Sequence, residues 1–323
     1  MARVERFGTT ADGREVRKIT LQRGDLTVAL LTLGAVLQSV RLRGVAHDLT
    51  LGSDQLADYE GEMGYHGAIM APVANRIGLA QTRIGGTECR FEPNQPPHCL
   101  HSGGTGAHRQ VWQLLQADDT RATLGLSLPA GLGGFPGNRQ AEARFSLGDT
   151  HLRLEIHATT DAETLWNATN HSYWTLDGGA DFSGHCLQIA AGHWLPTDAD
   201  DRPTGEIAPV DGSTMDFRLP RRLTPGRPPL DHNFCLSRGQ VPLREVLHLQ
   251  GVSGLRLTVA TTEPGVQLYD ARAAQRPGRG PYEGLAIETQ GWPDAPSFPA
   301  FPSIALRPGE TRVQITEWRF HRG

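Results

Sequence analysis

His171 and Glu288 are the residues whose surroundings could support proton-transfer chemistry. His171 lies in Asn170-His171-Ser172-Tyr173-Trp174, between short polar side chains and beside two aromatic ones. An imidazole can exchange a proton near neutral pH, and aromatic planes suit the apolar face of a polar ring compound. Glu288 ends an apolar run, Leu285-Ala286-Ile287-Glu288-Thr289-Gln290, just before the turn residues Gly291-Trp292-Pro293-Asp294. Partial burial of a carboxyl at such a strand end raises its pKa toward that of a working general base. Plainer readings exist for both: a core histidine satisfied by backbone, and an acid paired with a nearby arginine. Asn75-Arg76 and His101 add hydrogen-bond donors, Asp231 an acceptor and Gln267 a strand-borne amide. Asp231-His232-Asn233-Phe234 also reads as turn chemistry closing the Pro228-Pro229 loop. One acid, one base and a ring of polar groups make a cofactor-free catalyst for a neutral polar molecule.

Other chemistries lack their parts. His98-Cys99-Leu100-His101 followed by His108 matches no zinc spacing, so no metal site is expected. Ser102-Gly103-Gly104-Thr105-Gly106 is glycine-rich but joins no apolar strand to a helix, which argues against a phosphate cradle. Lys18 is the only lysine, and it stands apart from every motif, which removes Schiff-base and P-loop mechanisms. Cys89, Cys99, Cys186 and Cys235 show no CxxC spacing and fit reduced thiols of a cytoplasmic protein. A net charge of -4 gives no general attraction to nucleic acid or anionic membranes. The arginines at 221, 222 and 227, and those at 272, 276 and 279, read as solvated loop residues. Met1 to Gly8 has no apolar signal region, and no run approaches the length of a membrane span.

The elements that must position these residues are strands. Leu152, Leu154 and Ile156 alternate with polar neighbours, as do Val313 and Ile315, the period of half-buried strands. Similar runs cover 26–33, 36–42, 122–128 and 255–260, each bounded by turn residues. A turn or two of helix is expected at Ser53 to Tyr59, with Ser53 as its cap. Thirty-eight glycines and 22 prolines, spread without a composition break, predict one all-β domain over 1–323. Strand pattern alone leaves sandwich and barrel open.

In chain order the sequence resembles the aldose 1-epimerase (galactose mutarotase) family from near Phe7 to Phe320. The resemblance rests on Leu33-Gly34-Ala35, Val73-Ala74-Asn75-Arg76-Ile77, Leu100-His101, Asn170-His171-Ser172-Tyr173 and Leu195-Pro196-Thr197-Asp198. It continues through Asp231-His232-Asn233-Phe234, Pro264-Gly265-Val266-Gln267, Glu288-Thr289-Gln290 and Leu306-Arg307-Pro308-Gly309-Glu310-Thr311. It implies a large antiparallel β-sandwich, the galactose mutarotase-like supersandwich, with an open sugar cleft. It also implies a general base at Glu288, a general acid at His171, and sugar contacts from Asn75, Arg76, His101, Asp231 and Gln267. The implied substrate is a free monosaccharide such as glucose, galactose or a related aldose. No cofactor, nucleic acid or membrane partner is implied, and the chain is expected to act as a monomer or weak homodimer.

Three departures from the family pattern are Ala71-Pro72, Ser102 and Gly291-Trp292; all are expected beside the cleft, where they bear on substrate preference. Rival readings are a hexose-phosphate mutarotase, which needs positive charge at the cleft rim, and a non-catalytic sugar-binding sandwich. A glycosidase needs a second carboxylate partner, and only Glu288 is evident.

Overall fold

Alternation along the strands sets the layers. In the strand Arg139–Leu147 the side chains of Ala141, Ala143, Phe145 and Leu147 are buried, and in His151–Thr160 those of Leu152, Leu154, Ile156 and Ala158. The two strands pair with Phe145 opposite Leu154 and Ala143 opposite Ile156, so one face of the pair is apolar and must be covered. The computed structural model describes residues 3–322; Met1, Ala2 and Gly323, at the edges of the expected 1–323 domain, lie outside the described residues.

These strands belong to a nine-stranded sheet. Its order is Gln113–Ala117, Arg121–Leu128, Arg139–Leu147, His151–Thr160, Arg312–His321, Arg256–Thr261, Arg244–Gln250, Cys186–Ile189, Arg221–Arg222. A six-stranded sheet runs Tyr173–Trp174, Leu285–Gln290, Gly265–Tyr269, Asp231–Cys235, His193–Trp194, Ala208–Pro209. A four-stranded N-terminal sheet takes Arg3–Thr9, Glu15–Arg23, Leu26–Leu31 and Leu37–Leu42 in order. The pairings within all three are antiparallel. One core cluster joins Ile19 and Leu30 of the four-stranded sheet, Leu124 and Leu154 of the nine-stranded sheet, and Val266, Leu268, Leu285 and Ile287 of the six-stranded one. Inner faces that share a core make a sandwich rather than a barrel.

The six-stranded sheet positions the candidate residues. Because Val266, Leu268, Leu285 and Ile287 point into the core, their neighbours Gln267 and Glu288 point to the opposite face. Register sets Asn233, Gln267 and Glu288 abreast on three adjacent strands, with Asp231 opposite Tyr269 and Tyr173 opposite Ala286. Asp231 to Phe234 is therefore ladder, not turn. The strand expected at 26–33 stops at Leu31, since Gly34 and Ala35 take positive φ values of 64° and 46° and turn the chain. The α-helix at Leu56–Glu60 starts after Gln55 without a side-chain cap. Ser53 instead accepts the Gln55 N–H at 3.0 Å and donates to Asp58, a local turn that competes with capping. No helix of the described residues is long and apolar enough to cross a membrane.

Candidate active site

His171, Glu288, Asn75, Arg76, His101 and Asp231 all line one cavity of about 340 Å3, within the range of small-molecule sites. Each is held by its own segment. Asn170 donates its side-chain N–H to the Gly67 carbonyl at 2.7 Å, and His171 exchanges backbone bonds with Gly67 and Ala68, so the imidazole is fixed from both sides. Asn75 and His101 adopt left-handed conformations, φ 58° and 51°, and their loops interlock. The Asn75 N–H donates to His101 Nδ1 at 3.1 Å, and the His101 N–H donates to the Asn75 carbonyl at 2.9 Å. Strained backbone of this kind costs on the order of 1–3 kcal/mol per residue and persists where surrounding contacts over-determine it.

His171 Nε2 lies 3.5 Å from Glu288 Oε1, while His171 Nδ1 and Glu288 Oε2 have no partner among the described residues. Neither plain reading holds. Among the described residues Glu288 has no arginine at ion-pair distance, and His171 Nδ1 has no hydrogen-bond partner. Burial pushes the Glu288 carboxyl well above its ordinary value, helped by the Asp231 charge and opposed by Arg76. Burial also lowers His171 to about 4. Both shifts disfavour charge, so burial favours an uncharged carboxyl and a neutral imidazole over an ion pair.

His101 is likewise held neutral, well below its usual value, by burial and then by His171 and His108. Since its Nδ1 accepts the Asn75 N–H, its proton sits on Nε2, making that atom a donor. The same fact speaks against a metal. His101, His171 and Glu288 each offer a ligand atom within 4.8 Å of the others. Ligation through His101 Nε2 would move the proton to Nδ1, against the Asn75 N–H, whereas metal-bound imidazoles give that proton to an acceptor. The set does not fit a metal.

Arg76 follows Asn75 in the same lining. Its Nε donates to Gln95 Oε1 at 2.8 Å, and its Nη2 stands 3.5 Å from Asp201 and 3.6 Å from Asp231. Asp231 is raised by burial against the lowering effect of Arg76. Tyr65 packs its ring 4.9 Å from His101 and 6.0 Å from His171, and Tyr173 lies 5.0 Å from His171. The arrangement offers an acid/base pair, fixed donors, a carboxylate and aromatic walls around one cavity.

Gln267 is the expected contact that does not line the cavity: its Nε2 donates to Asp231 Oδ1 at 2.6 Å and orients that carboxylate from behind. The three departures do not line the cavity either, although Ser102 adjoins the lining residue His101. Ser102 Oγ accepts the Val73 N–H and donates to the Val73 carbonyl; Trp292 is buried against Phe301 and donates to the Pro264 carbonyl. Ala71 accepts the Ala107 N–H and Pro72 the Asn167 N–H through their carbonyls. All three serve the scaffold because their polar groups are consumed by backbone. The sequence reading missed Tyr65, Gln95, Asp201, Tyr269 and Arg272, which line the cavity from loops and strand ends. Arg272 and Arg276 are corrections to the solvated-loop reading. Arg272 lines the cavity, and Arg276 bonds Glu283 and the Gly52 carbonyl. Tyr65, between Gly64 and His66-Gly67, carried a signal as an aromatic in a flexible polar segment; Gln95 and Asp201 carried none.

Residues 17–319 match the model of the family described as Aldose 1-epimerase. Galactose mutarotase of Mus musculus is 33% identical over 325 residues, 95% of each chain. Aldose 1-epimerase of Escherichia coli K12 is 32% identical over 336 residues, 96% of each chain. Among solved structures, galactose 1-epimerase from Lactobacillus acidophilus superposes with a TM-score of 0.87 at 27% identity, covering 100% of this chain and 99% of that one.

Proposed function

From the chain's membership of the aldose 1-epimerase family we propose how its residues divide the work of interconverting the α and β anomers of a free aldose. It is a carbohydrate isomerase. Glu288 acts as general base and His171 as general acid; what supports this is their 3.5 Å approach at one end of a cavity otherwise lined by hydroxyl-binding groups. Glu288 takes the proton of the anomeric hydroxyl, whose electron pair forms the carbonyl while the bond from C1 to the ring oxygen breaks. His171 gives its proton to that oxygen. Rotation about the C1–C2 bond presents the other face of the aldehyde, and the same transfers in reverse close the ring.

The step needs the proton on His171, whereas burial alone leaves it on Glu288. A sugar hydroxyl donating to Glu288 favours the carboxylate, and the ring oxygen accepting from His171 favours the imidazolium, so binding shifts the proton to the reactive arrangement. His101 Nε2–H assists the charge developing at the ring oxygen. Asn75, Arg76 and Asp231 hold the remaining hydroxyls, and Gln267 holds Asp231. A phosphorylated sugar calls for a cluster of positive charge, whereas Arg76 is shared between Asp201 and Asp231 and Arg272 is paired with Asp270.

We further infer one domain, supported by the core common to three sheets, and a cytoplasmic setting, supported by four unpaired cysteines. A monomer or weak homodimer fits exposed large apolar side chains that come singly from separate segments, among them Leu79, Leu115 and Leu219. Polarimetry tests the reading: with freshly dissolved α-glucose, α-galactose and α-xylose in weak buffer, wild type should speed the change in rotation and Glu288→Gln should not. A Glu288→Gln variant as fast as wild type would remove the base from this assignment.

A further inference from the structure

Arg272 follows the end of the Gln267 strand, three residues past Tyr269, where Ala271 takes a left-handed φ of 58° and turns the chain over the cavity. Its guanidinium is gripped on one edge only. Nε donates to Asp270 Oδ1 at 2.9 Å, and Asp270, 1% exposed, is fixed in turn because its Oδ2 accepts the Leu230 N–H at 3.1 Å. That grip sets the plane of the fork and leaves the Nη edge free. Nη2 is shut off from solvent without an acceptor among the described residues, while the side chain, 34% exposed, lines the cavity with its remaining Nη edge. A charged donor held on one edge only keeps its other N–H groups for a ligand that brings an oxygen.

Its place in the cavity says which oxygen. The Glu288, Gln267 and Asp231 strands are adjacent, so Asp231 lies two strand spacings across and two residues along the sheet from Glu288, about 12 Å between Cα atoms. Arg272 follows Tyr269, the residue paired opposite Asp231, and so stands on that side of the sheet. A pyranose with its anomeric hydroxyl and ring oxygen on Glu288 and His171 turns its C3–C4 edge toward Asp231 and Arg272. We propose that Arg272 is a specificity-determining residue, whose accessible guanidinium edge donates to a hydroxyl oxygen on the C3–C4 edge of the aldose. The proposal rests on the aldose reading above. Asp231 and Arg272 together then match a hydroxyl as acceptor and donor, which distinguishes a sugar bearing that hydroxyl from one lacking it.

The test compares wild type, Arg272→Ala and Arg272→Lys on galactose, glucose, 3-deoxyglucose and 4-deoxyglucose, by mutarotation kinetics and by calorimetric binding. Arg272→Ala should raise KM and Kd for galactose and glucose about 10- to 100-fold, the worth of a charged donor to a hydroxyl, with kcat within a few-fold. One of the two deoxy sugars should bind wild type and variant alike, because it lacks the oxygen that Arg272 holds. Arg272→Lys keeps the charge without the fork, so it should recover part of the affinity. Equal loss on all four sugars, or loss in kcat alone, would make Arg272 a structural residue and overturn the proposal, as would no loss at all. A wild type that binds these sugars without interconverting them would count against the enzymatic reading while leaving Arg272 readable from Kd. A wild type that binds none of them overturns both.

Discussion

Burial acts on His171 and Glu288 in opposite directions, and their protons have to be counted together. The carboxyl is pushed up and the imidazole down to about 4, so the pair holds one proton over a wide span of pH. Below about 4 it gains a second and has no base; above the raised value of Glu288 it loses both and has no acid. The expected profile of kcat/KM is bell-shaped, with an acid limb near 4 and an alkaline limb where Glu288 gives up its proton, measured by polarimetric rates from pH 3.5 to 10. A rate that climbed steadily with pH would indicate a lone base instead. Removing either partner is predicted to cost about 10²–10⁴-fold in kcat/KM, the usual worth of one positioned proton-transfer group. Glu288→Gln and His171→Asn are the near-isosteric variants to assay, and both should retain the wild-type unfolding temperature within a few degrees.

The Glu288 strand is only as well placed as its end. Asn167 closes that end: its Oδ1 accepts the Gly291 N–H at 2.6 Å and its Nδ2 donates to the Gly291 carbonyl at 3.2 Å, all of it buried. Asn167→Ala strands both backbone groups, and a loss of about 2–4 kcal/mol is expected from urea unfolding, with kcat falling as the carboxylate loosens. A variant unfolding at the wild-type midpoint would mean that the strand end is held by packing alone. Strands were the legible part of the sequence, because alternation at 152–157 and 312–316 reports directly which side is covered, whereas the neighbouring strand Arg139–Leu147 was not read. The acid/base pair was legible through its motifs and the polar contacts mostly so. What escaped were residues whose role depends on register and turns. Gln267 sits abreast of Glu288 yet turns its amide to Asp231, and Arg272 reaches the cavity only because of the turn at Ala271. Short-range pattern does not carry such long-range pairings, nor does it show that Ser102 and Trp292 spend their polar groups on backbone.

Across the whole molecule several buried imidazoles are lowered by desolvation. His66 and His108 are lowered to about 3 and His171 and His232 to about 4, while His101 and His185 are lowered as well. A histidine whose folded value lies below its unfolded one leaves stability intact above about 6.5 and loses it as pH falls toward the folded value, because the unfolded chain then binds more protons. The raised acids Glu288, Glu263 and Asp231 work the other way but are fewer. The unfolding temperature should therefore drop between pH 7.5 and 5, by an amount worth a few kcal/mol. A midpoint that held constant or rose across that range would show the acids to dominate. The proton shared by His171 and Glu288 carries a last consequence. A pair that finishes each passage in the protonation state in which it began consumes no free energy. By detailed balance it must then multiply the forward and backward rates by one factor. In a cell such a catalyst sets the relaxation time of an anomer pool and never its composition, so its effect on flux appears only where a neighbouring reaction drains one anomer faster than water alone can replace it.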